Sequence, residues 1–218
     1  MKIFILCGGF GTRLDHQGKL LAKTMIKIGS EPMLMHIIEN FSIQGYNEFV
    51  LCGGHKIETI KDFFKKKKID IKKNKKKHLS FELLNKKKKI LVDLIDTGKN
   101  SGTGGRIKQA YHKLFLNEDF IATYGDGLSN ISIKKLIKFH YDNKASLTLT
   151  AVRPKQRYGV LKISQNKVKY FDNSTNTSDV YINGGFFVIS KKIIKLIKNY
   201  KIYIENEPFK KILKKKEL

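Results

Sequence analysis

The sequence predicts one α/β domain, with a mostly parallel mixed sheet and helices on both faces. Three observations carry that expectation. Strand-like and helix-like segments alternate through the first two thirds of the chain. The first strands are unbroken apolar runs, the pattern of strands covered on both sides. The runs KIFILC and NEFVLC each end in Gly-Gly, where the chain can turn sharply from a strand tip.

Residues 2–7 form the first apolar run. Met33, Leu34, Ile37, Ile38 and Phe41 then recur at helical spacing and predict a helix over 33–44. NEFVLCGG is the second buried strand, and 56–64 the next helix, with Ile57, Ile60, Phe63 and Phe64 inward. One strand near Leu79 to Leu84 and another over 90–96 follow. Ile107, Ala110, Tyr111 and Leu114 make a helical stripe, and DFIATY a strand ending at Tyr124. Ser132 suits an N-cap, before a helix with Ile133, Leu136, Ile137 and Tyr141 inward. SLTLTAV reads as a strand, and YGVLKISQNKVKYFD as a hairpin turning at Gln165-Asn166. VYINGGFFVIS is a strand broken by Gly-Gly, and KKIIKLIKNY a basic amphipathic helix. No internal repeat or Pro-rich linker interrupts the 218 residues. A single domain over 1–218 is therefore expected, with an antiparallel part from about 145.

Lysine and arginine total 44 against 19 aspartates and glutamates, a net charge of +25. Such a charge raises nucleic-acid binding as a reading. The charge is mostly lysine, however, and thirteen lysines fall within 65–89 beside only Asp70 and Glu82. An RNA-binding surface interleaves arginine and aromatic residues with its basic ones. A solvated, partly mobile insert is the expectation for 65–89, and nucleic acid is not the expected partner.

Cys7 and Cys52 each close a predicted strand and suit buried free thiols in a reducing compartment. Zinc-ligand spacing is missing. The N-terminal apolar run is too short for a signal peptide, and no stretch approaches membrane-spanning length. A soluble cytoplasmic protein is expected.

In such a sheet, ligands sit beyond the carboxyl ends of the strands. Gly8-Gly9-Phe10-Gly11-Thr12-Arg13 follows the first strand, and Ser101-Gly102-Thr103-Gly104-Gly105-Arg106 follows 90–96. Gly125-Asp126-Gly127 follows Tyr124. The first loop is neither a dinucleotide fingerprint nor a Walker A loop. It can offer backbone amides and Arg13 to phosphate oxygens, or be a plain glycine turn. Asp126 is either a Mg²⁺ ligand facing a polyphosphate or an ordinary turn residue. Gly104, Gly105 and Arg106 open a helix that favours an anion or a polar base edge; a glycine start with a surface arginine is the alternative. Nothing points to covalent catalysis: the six histidines share no spacing, and no Ser/His/Asp set stands out.

Taken together, "GGFGTRL", "AKTMIKIGSEPML", "VDLIDTG", "SGTGGR", "TYGDG", "RYGVLKI", "YINGGFFVIS" and "ENEP" resemble the sugar-1-phosphate nucleotidyltransferases, in particular their glucose-1-phosphate cytidylyltransferase branch. These pieces span nearly the whole chain. The resemblance implies a Rossmann-like α/β fold and the conversion of CTP and glucose 1-phosphate into CDP-glucose and pyrophosphate. It implies that Leu6, Gly8, Gly9, Gly11 and Thr12 wrap the nucleotide, and that Arg13 holds the departing pyrophosphate. By the same resemblance Lys23 neutralises the α-phosphate, Gly104, Gly105 and Arg106 border the cytosine, Asp126 binds Mg²⁺, and Asn183 and Gly184 contact the sugar. A homo-oligomer is implied as well.

Three departures accompany the match. Where the family carries Glu-Lys-Pro, this chain has Asp172-Asn173-Ser174-Thr175, without the lysine. It ends at Leu218, before the family's second metal carboxylate, which neither Glu205 nor Glu207 matches. The family's Lys-Pro-Lys-Pro-Met here reads Leu21-Ala22-Lys23-Thr24-Met25. Two alternatives stay open: another sugar phosphate, such as a heptose phosphate, or another nucleotide; and an inactive nucleotide-binding relative.

Overall fold

The computed structural model describes residues 1–9, 21–67, 70–73, 79–85, 88–154, 160–172, 180–215 and 218. In chain order the elements are β1 (Ile3–Leu6), a 3₁₀ turn (Lys23–Met25), β2 (Lys27–Ile28), β3 (Glu31–Pro32), α1 (Met33–Ile43), β4 (Glu48–Gly53) and α2 (Ile57–Lys66). Next come β5 (Asp70–Lys73), β6 (Leu79–Asn85), β7 (Lys88–Asp96), α3 (Thr103–Lys113), β8 (Phe120–Tyr124) and α4 (Ile133–Asp142). The last third holds β9 (Leu147–Thr148), β10 (Ala151–Val152), β11 (Val160–Ser164), β12 (Lys167–Asp172), β13 (Ile182–Asn183), β14 (Phe187–Ile189), a 3₁₀ helix (Lys191–Leu196) and α5 (Glu207–Lys214).

Eight strands form one sheet in the order β5-β6-β7-β4-β1-β8-β14-β9. The central β7, β4, β1 and β8 are parallel, with Ile5 paired to Leu51 on one side and Thr123 on the other. Only β6 and β14 run against the rest. Side chains of a strand alternate between faces, so β1 seeds two cores. Ile3 and Ile5 pack with Leu34, Ile38 and Phe41 of α1, Ile60 and Phe64 of α2, and Ile133 of α4. Phe4 packs on the other face with Ile107 and Ala110 of α3, Phe120, Ile194 and Ile212. Helices thus cover both faces, as expected. From β1 the chain runs through β4 and β7 and returns through α3 to β8, on β1's other side. The sheet's topological switch therefore lies at the carboxyl end of β1, where such folds open a crevice.

The structure corrects several expectations. The lysine-rich run is solvated only in part: the strand expected near Leu79 to Leu84 is β6, which pairs with β7, and Phe81 and Leu83 are buried in the core. Residues 68–69, 74–78 and 86–87 lie outside the description, and with them the test of mobility. Within α4, Tyr141 is 51% exposed and the neighbouring His140 is buried instead. His140 reaches Thr148 Oγ1 at 2.9 Å and Ser190 Oγ at 3.2 Å, so a polar ring takes the inward position by satisfying both nitrogens. SLTLTAV is split, because β10 leaves the main sheet to pair with β13 in a separate two-stranded ribbon, whereas VYINGGFFVIS breaks at Gly184-Gly185 as expected. KKIIKLIKNY winds as a 3₁₀ helix, not an α-helix. The β11–β12 hairpin forms as expected, with Gln165 and Asn166 both left-handed at φ +50° and +56°. Ser132 caps α4 by accepting the Lys135 amide at 3.3 Å.

Candidate active site

A cleft of about 570 Å³ opens at the switch point, within the range of small-molecule sites. Its floor is the tip of β1, from Leu6 to Gly9. Lys23 and Thr24 of the first 3₁₀ turn form one wall, and Asn100, Ser101, Thr103 and Arg106 another. The remainder is Tyr124, Gly125 and Asp126 at the end of β8, with Tyr203.

The two ionic residues expected at the chemistry meet directly. Lys23 Nζ donates to Asp126 Oδ2 at the mouth of the cleft, with both side chains half-exposed. Gly125 lets the turns carrying them approach, since a Cβ there would collide with the Thr24 methyl. Among the described residues, none lies within 4 Å of where a Gly9 Cβ would stand.

Arg106 does something the sequence did not foretell. It is 4% exposed, and its guanidinium clamps the strand ends together. Nη1 donates to Gly98 O at 2.7 Å, Thr97 Oγ1 at 3.0 Å and Gly53 O at 3.2 Å. Nη2 donates to Gly8 O at 2.7 Å and Lys99 O at 3.1 Å. A Cβ at Gly8 or Gly54 would overlap this guanidinium. Gly8 is therefore glycine to admit an arginine, and the planar fork binds β1, β4 and the loop after β7 into one floor. Neither bland reading, a surface arginine or a free anion grip, fits this geometry.

Gly104 and Gly105 likewise face protein. A Cβ on Gly105 would land on the Tyr200 carbonyl, and one on Gly104 would press on Ile202 and Ile204. The Gly105 amide, one of those expected to meet an anion or base edge, already donates to Ile202 O at 3.0 Å. The paired glycines let α3 dock on the 200–204 segment, which is a packing reason.

Asn183 and Gly184 lie beside the cleft on the β10–β13 ribbon. Asn183 connects to the cleft through Tyr124, to whose hydroxyl its Nδ2 donates at 3.0 Å. Tyr124 in turn donates to Glu205 Oε1 at 2.5 Å. Burial, and then the bond to Glu205, raise its phenol above the usual range. Thr103, Tyr124 and Glu205 were missed as site residues from sequence. "TYGDG" and "ENEP" had flagged the second and third, but only contacts between distant segments give them a role. Gly11, Thr12 and Arg13 lie outside the described residues.

What the arrangement offers is a basic group and a carboxylate across the mouth of a cleft floored by glycine backbone. The hard-oxygen Asp126 suits a divalent cation only in company, since among the described residues no group of three His, Cys, Asp or Glu gathers. Phosphate oxygens of a ligand would supply that company. Among the described residues, no helix is long and apolar enough to cross a membrane.

A fold with its crevice at the β1 switch point and this cleft chemistry is that of an enzyme handling nucleotides, and the comparisons give the class. The profile described as nucleotidyl transferase matches residues 2–216. The chain belongs to that family. It is 36% identical over 226 residues to the glucose-1-phosphate cytidylyltransferase of Salmonella typhi, covering 100% of this chain and 86% of that one. It is 32% identical over 194 residues to the D-glycero-alpha-D-manno-heptose 1-phosphate guanylyltransferase of Campylobacter jejuni, covering 88% and 77%. Among solved structures, HddC from Yersinia pseudotuberculosis complexed with GMP-PN superposes with a TM-score of 0.68 at 27% identity, over 94% of this chain and 84% of that one. The chain is thus a nucleotidyltransferase, similar to the glucose-1-phosphate cytidylyltransferases along its whole length.

Proposed function

We propose that the protein transfers the cytidylyl group of CTP to glucose 1-phosphate, giving CDP-glucose and pyrophosphate. The observation that carries the reading is the Lys23–Asp126 pair across the β1 cleft, in a chain aligned end to end with glucose-1-phosphate cytidylyltransferases. The sugar phosphate oxygen attacks the α-phosphorus, the bond to the β-phosphate oxygen breaks, and pyrophosphate leaves. That reaction needs alignment and charge neutralisation and no protein nucleophile. Lys23 leaves Asp126 and meets the α-phosphate. Leu6, Gly8 and Gly9 floor the nucleotide, and Arg106 keeps that floor rigid. Gly11, Thr12 and Arg13 complete the loop, with Arg13 on the departing pyrophosphate. Asp126, with phosphate oxygens, would hold a Mg²⁺ ion, which supplies charge neutralisation at the phosphates. Asn183 and Gly184 face the sugar. The product would feed the sugars of surface polysaccharides. A CTP-consuming step belongs in the cytoplasm, and a homo-oligomer belongs to the same reading.

A second reading has support of its own. The relatives acting on a heptose phosphate and the GMP-PN complex keep a different sugar and guanine nucleotides in view. Pyrophosphate release is the test, with Mg²⁺, each nucleoside triphosphate, and glucose 1-phosphate or the heptose 1-phosphate. Release with CTP and glucose 1-phosphate, lost in Lys23→Met and Arg13→Ala, is expected. Release with GTP and the heptose phosphate would replace the first reading by the second. No release with any pair, while CTP still raised the melting temperature, would leave a nucleotide-binding relative.

A further inference from the structure

Glu205 stands one step back from the cleft and touches two residues that line it. Its Oε1 accepts the Tyr124 hydroxyl at 2.5 Å, and its Oε2 accepts the Thr103 hydroxyl at 2.6 Å. Thr103 belongs to the first turn of α3, Tyr124 to the tip of β8, and Glu205 to the segment leading into α5. One carboxylate thus joins three elements that sequence separates by about a hundred residues in the case of Thr103 and Glu205.

The polarity of this network is fixed throughout. An ionised carboxylate only accepts, so each hydroxyl gives its single proton to Glu205. The Thr103 oxygen is left to accept, and it takes the Ile204 amide at 3.0 Å. The Tyr124 oxygen is likewise left to accept, and it takes Asn183 Nδ2 at 3.0 Å. At the other end of the same side-chain amide, Oδ1 accepts the Gly185 amide at 2.9 Å. A backbone amide can only donate, so both ends of Asn183 dictate one orientation. Among the described residues, these two bonds leave one N–H on Nδ2 and one lone pair on Oδ1 for a ligand, each at a settled place.

We propose that Glu205 is a positioning residue: acting through Tyr124, it fixes the side-chain amide of Asn183 and so sets which hydroxyls of the acceptor sugar that amide recognises. The step to the sugar rests on the nucleotidyltransferase reading above; the orientation of the amide does not. Glu205's part in the reaction is to keep the Tyr124 proton off Asn183, so that the Tyr124 oxygen accepts from Nδ2 and adds to the hold of the Gly185 amide on Oδ1. Misoriented, the amide would present a donor where the sugar offers one.

Glu205→Gln keeps the shape but replaces one accepting oxygen by a donating nitrogen, so the two hydroxyls can no longer both donate. Tyr124→Phe removes only the hydroxyl. With the full chain, Mg²⁺, CTP and glucose 1-phosphate, Glu205→Gln is expected to raise KM for glucose 1-phosphate about 2–10-fold, the worth of one neutral amide–hydroxyl hydrogen bond. KM for CTP should stay within about 2-fold, since the nucleotide floor is built from other residues. Tyr124→Phe should give the same split, and the double variant no more than Tyr124→Phe alone. The orientation itself is read by NMR of the Asn183 side-chain amide, with Asn183→Ala identifying its signals. Both signals should move in Glu205→Gln and in Tyr124→Phe. Unchanged amide signals in both variants would overturn the proposal, whether or not the wild type turns over glucose 1-phosphate. Moved signals with an unchanged KM for glucose 1-phosphate would overturn the step to the sugar. If the wild type releases no pyrophosphate, it is the nucleotidyltransferase reading that fails. Titrating glucose 1-phosphate against the same amide signals then decides the sugar contact by binding alone. Should Glu205→Gln not fold, Tyr124→Phe carries each of these measurements.

Discussion

Gly9 and Gly105 lack a side chain for opposite reasons. A Cβ on Gly105 would sit on the Tyr200 carbonyl, whereas one on Gly9 would meet none of the described residues within 4 Å. Gly105→Ala must push α3 off the 200–204 segment, and is expected to cost about 2–3 kcal/mol in urea unfolding. Gly9→Ala should change stability by less than about 0.5 kcal/mol, yet weaken the rise in melting temperature that CTP gives. Equal destabilisation by both would refute this division. The two thiols carry a second consequence at this scale. Burial, against smaller opposing pulls from Thr24 and Arg106, pushes Cys7 from 9.0 to about 12. Burial and the neighbouring Cys7 push Cys52 well above its usual range. Folding thus holds protons that the unfolded chain releases. The Cys7 part of that stabilisation is full below about pH 9 and is lost as pH rises toward about 12, by up to about 1.4 kcal/mol per pH unit. Urea midpoints at pH 8 to 10 should fall less steeply in Cys7→Ala than in the wild type.

Among the elements, β6 is a strand whose own apolar residues stand out within a lysine-rich setting. The lysines around it are those of a solvated run, yet Phe81 is buried and stacks on Phe64 of α2, with ring centroids 4.8 Å apart and planes inclined by 22°. Phe81→Ala is expected to lose about 3–4 kcal/mol by calorimetry or urea unfolding. A loss below about 0.5 kcal/mol would restore the picture of an insert beside the domain. The strands read correctly from sequence were those whose own residues carry the signal: the apolar runs of β1, β4, β6, β7 and β8, and the hairpin turning at Gln165-Asn166. What was missed depends on partners. β5 needs β6 to pair with, and the split of 147–152 follows from the bend that carries β10 to β13; the eight residues of α5 were not read as a helix although Pro208 and Ile212 are buried on one side.

For the molecule as a whole, the position of the cleft was legible and its wiring was not. Glycine-rich loops after three strands, in an alternating fold, locate a crevice by topology alone, and Leu6, Gly8, Gly9, Lys23, Arg106 and Asp126 do line it. No periodicity could say that Arg106 would face inward to five oxygens, or that Glu205 would reach Tyr124 and Thr103, because those contacts join segments far apart in sequence. The net charge of +25 also acts at this scale. Described ion pairs such as Lys2–Glu48 and Lys67–Glu31 engage few of the lysines, so self-repulsion opposes the compact state. The melting temperature should rise between about 0.01 M and 0.3 M NaCl as the Debye length shortens. A fall over that range would mean that attractive pairs, and not repulsion, dominate.

The clamp on Asn183 bears on how the protein ages. Asparagine before glycine is the step at which the following backbone nitrogen most readily closes on the side-chain carbon, expelling ammonia and leaving an acidic residue. Asn183-Gly184 is such a step. Here both ends of the amide are held, and the Gly184 nitrogen donates to Thr150 O at 2.9 Å, away from the ring closure. Storage of the purified protein at neutral pH, followed by peptide mapping, should find Asn183 intact in the wild type long after Tyr124→Phe has accumulated aspartate and isoaspartate there. A network that orients a ligand-facing amide would then also set the shelf life of the chain.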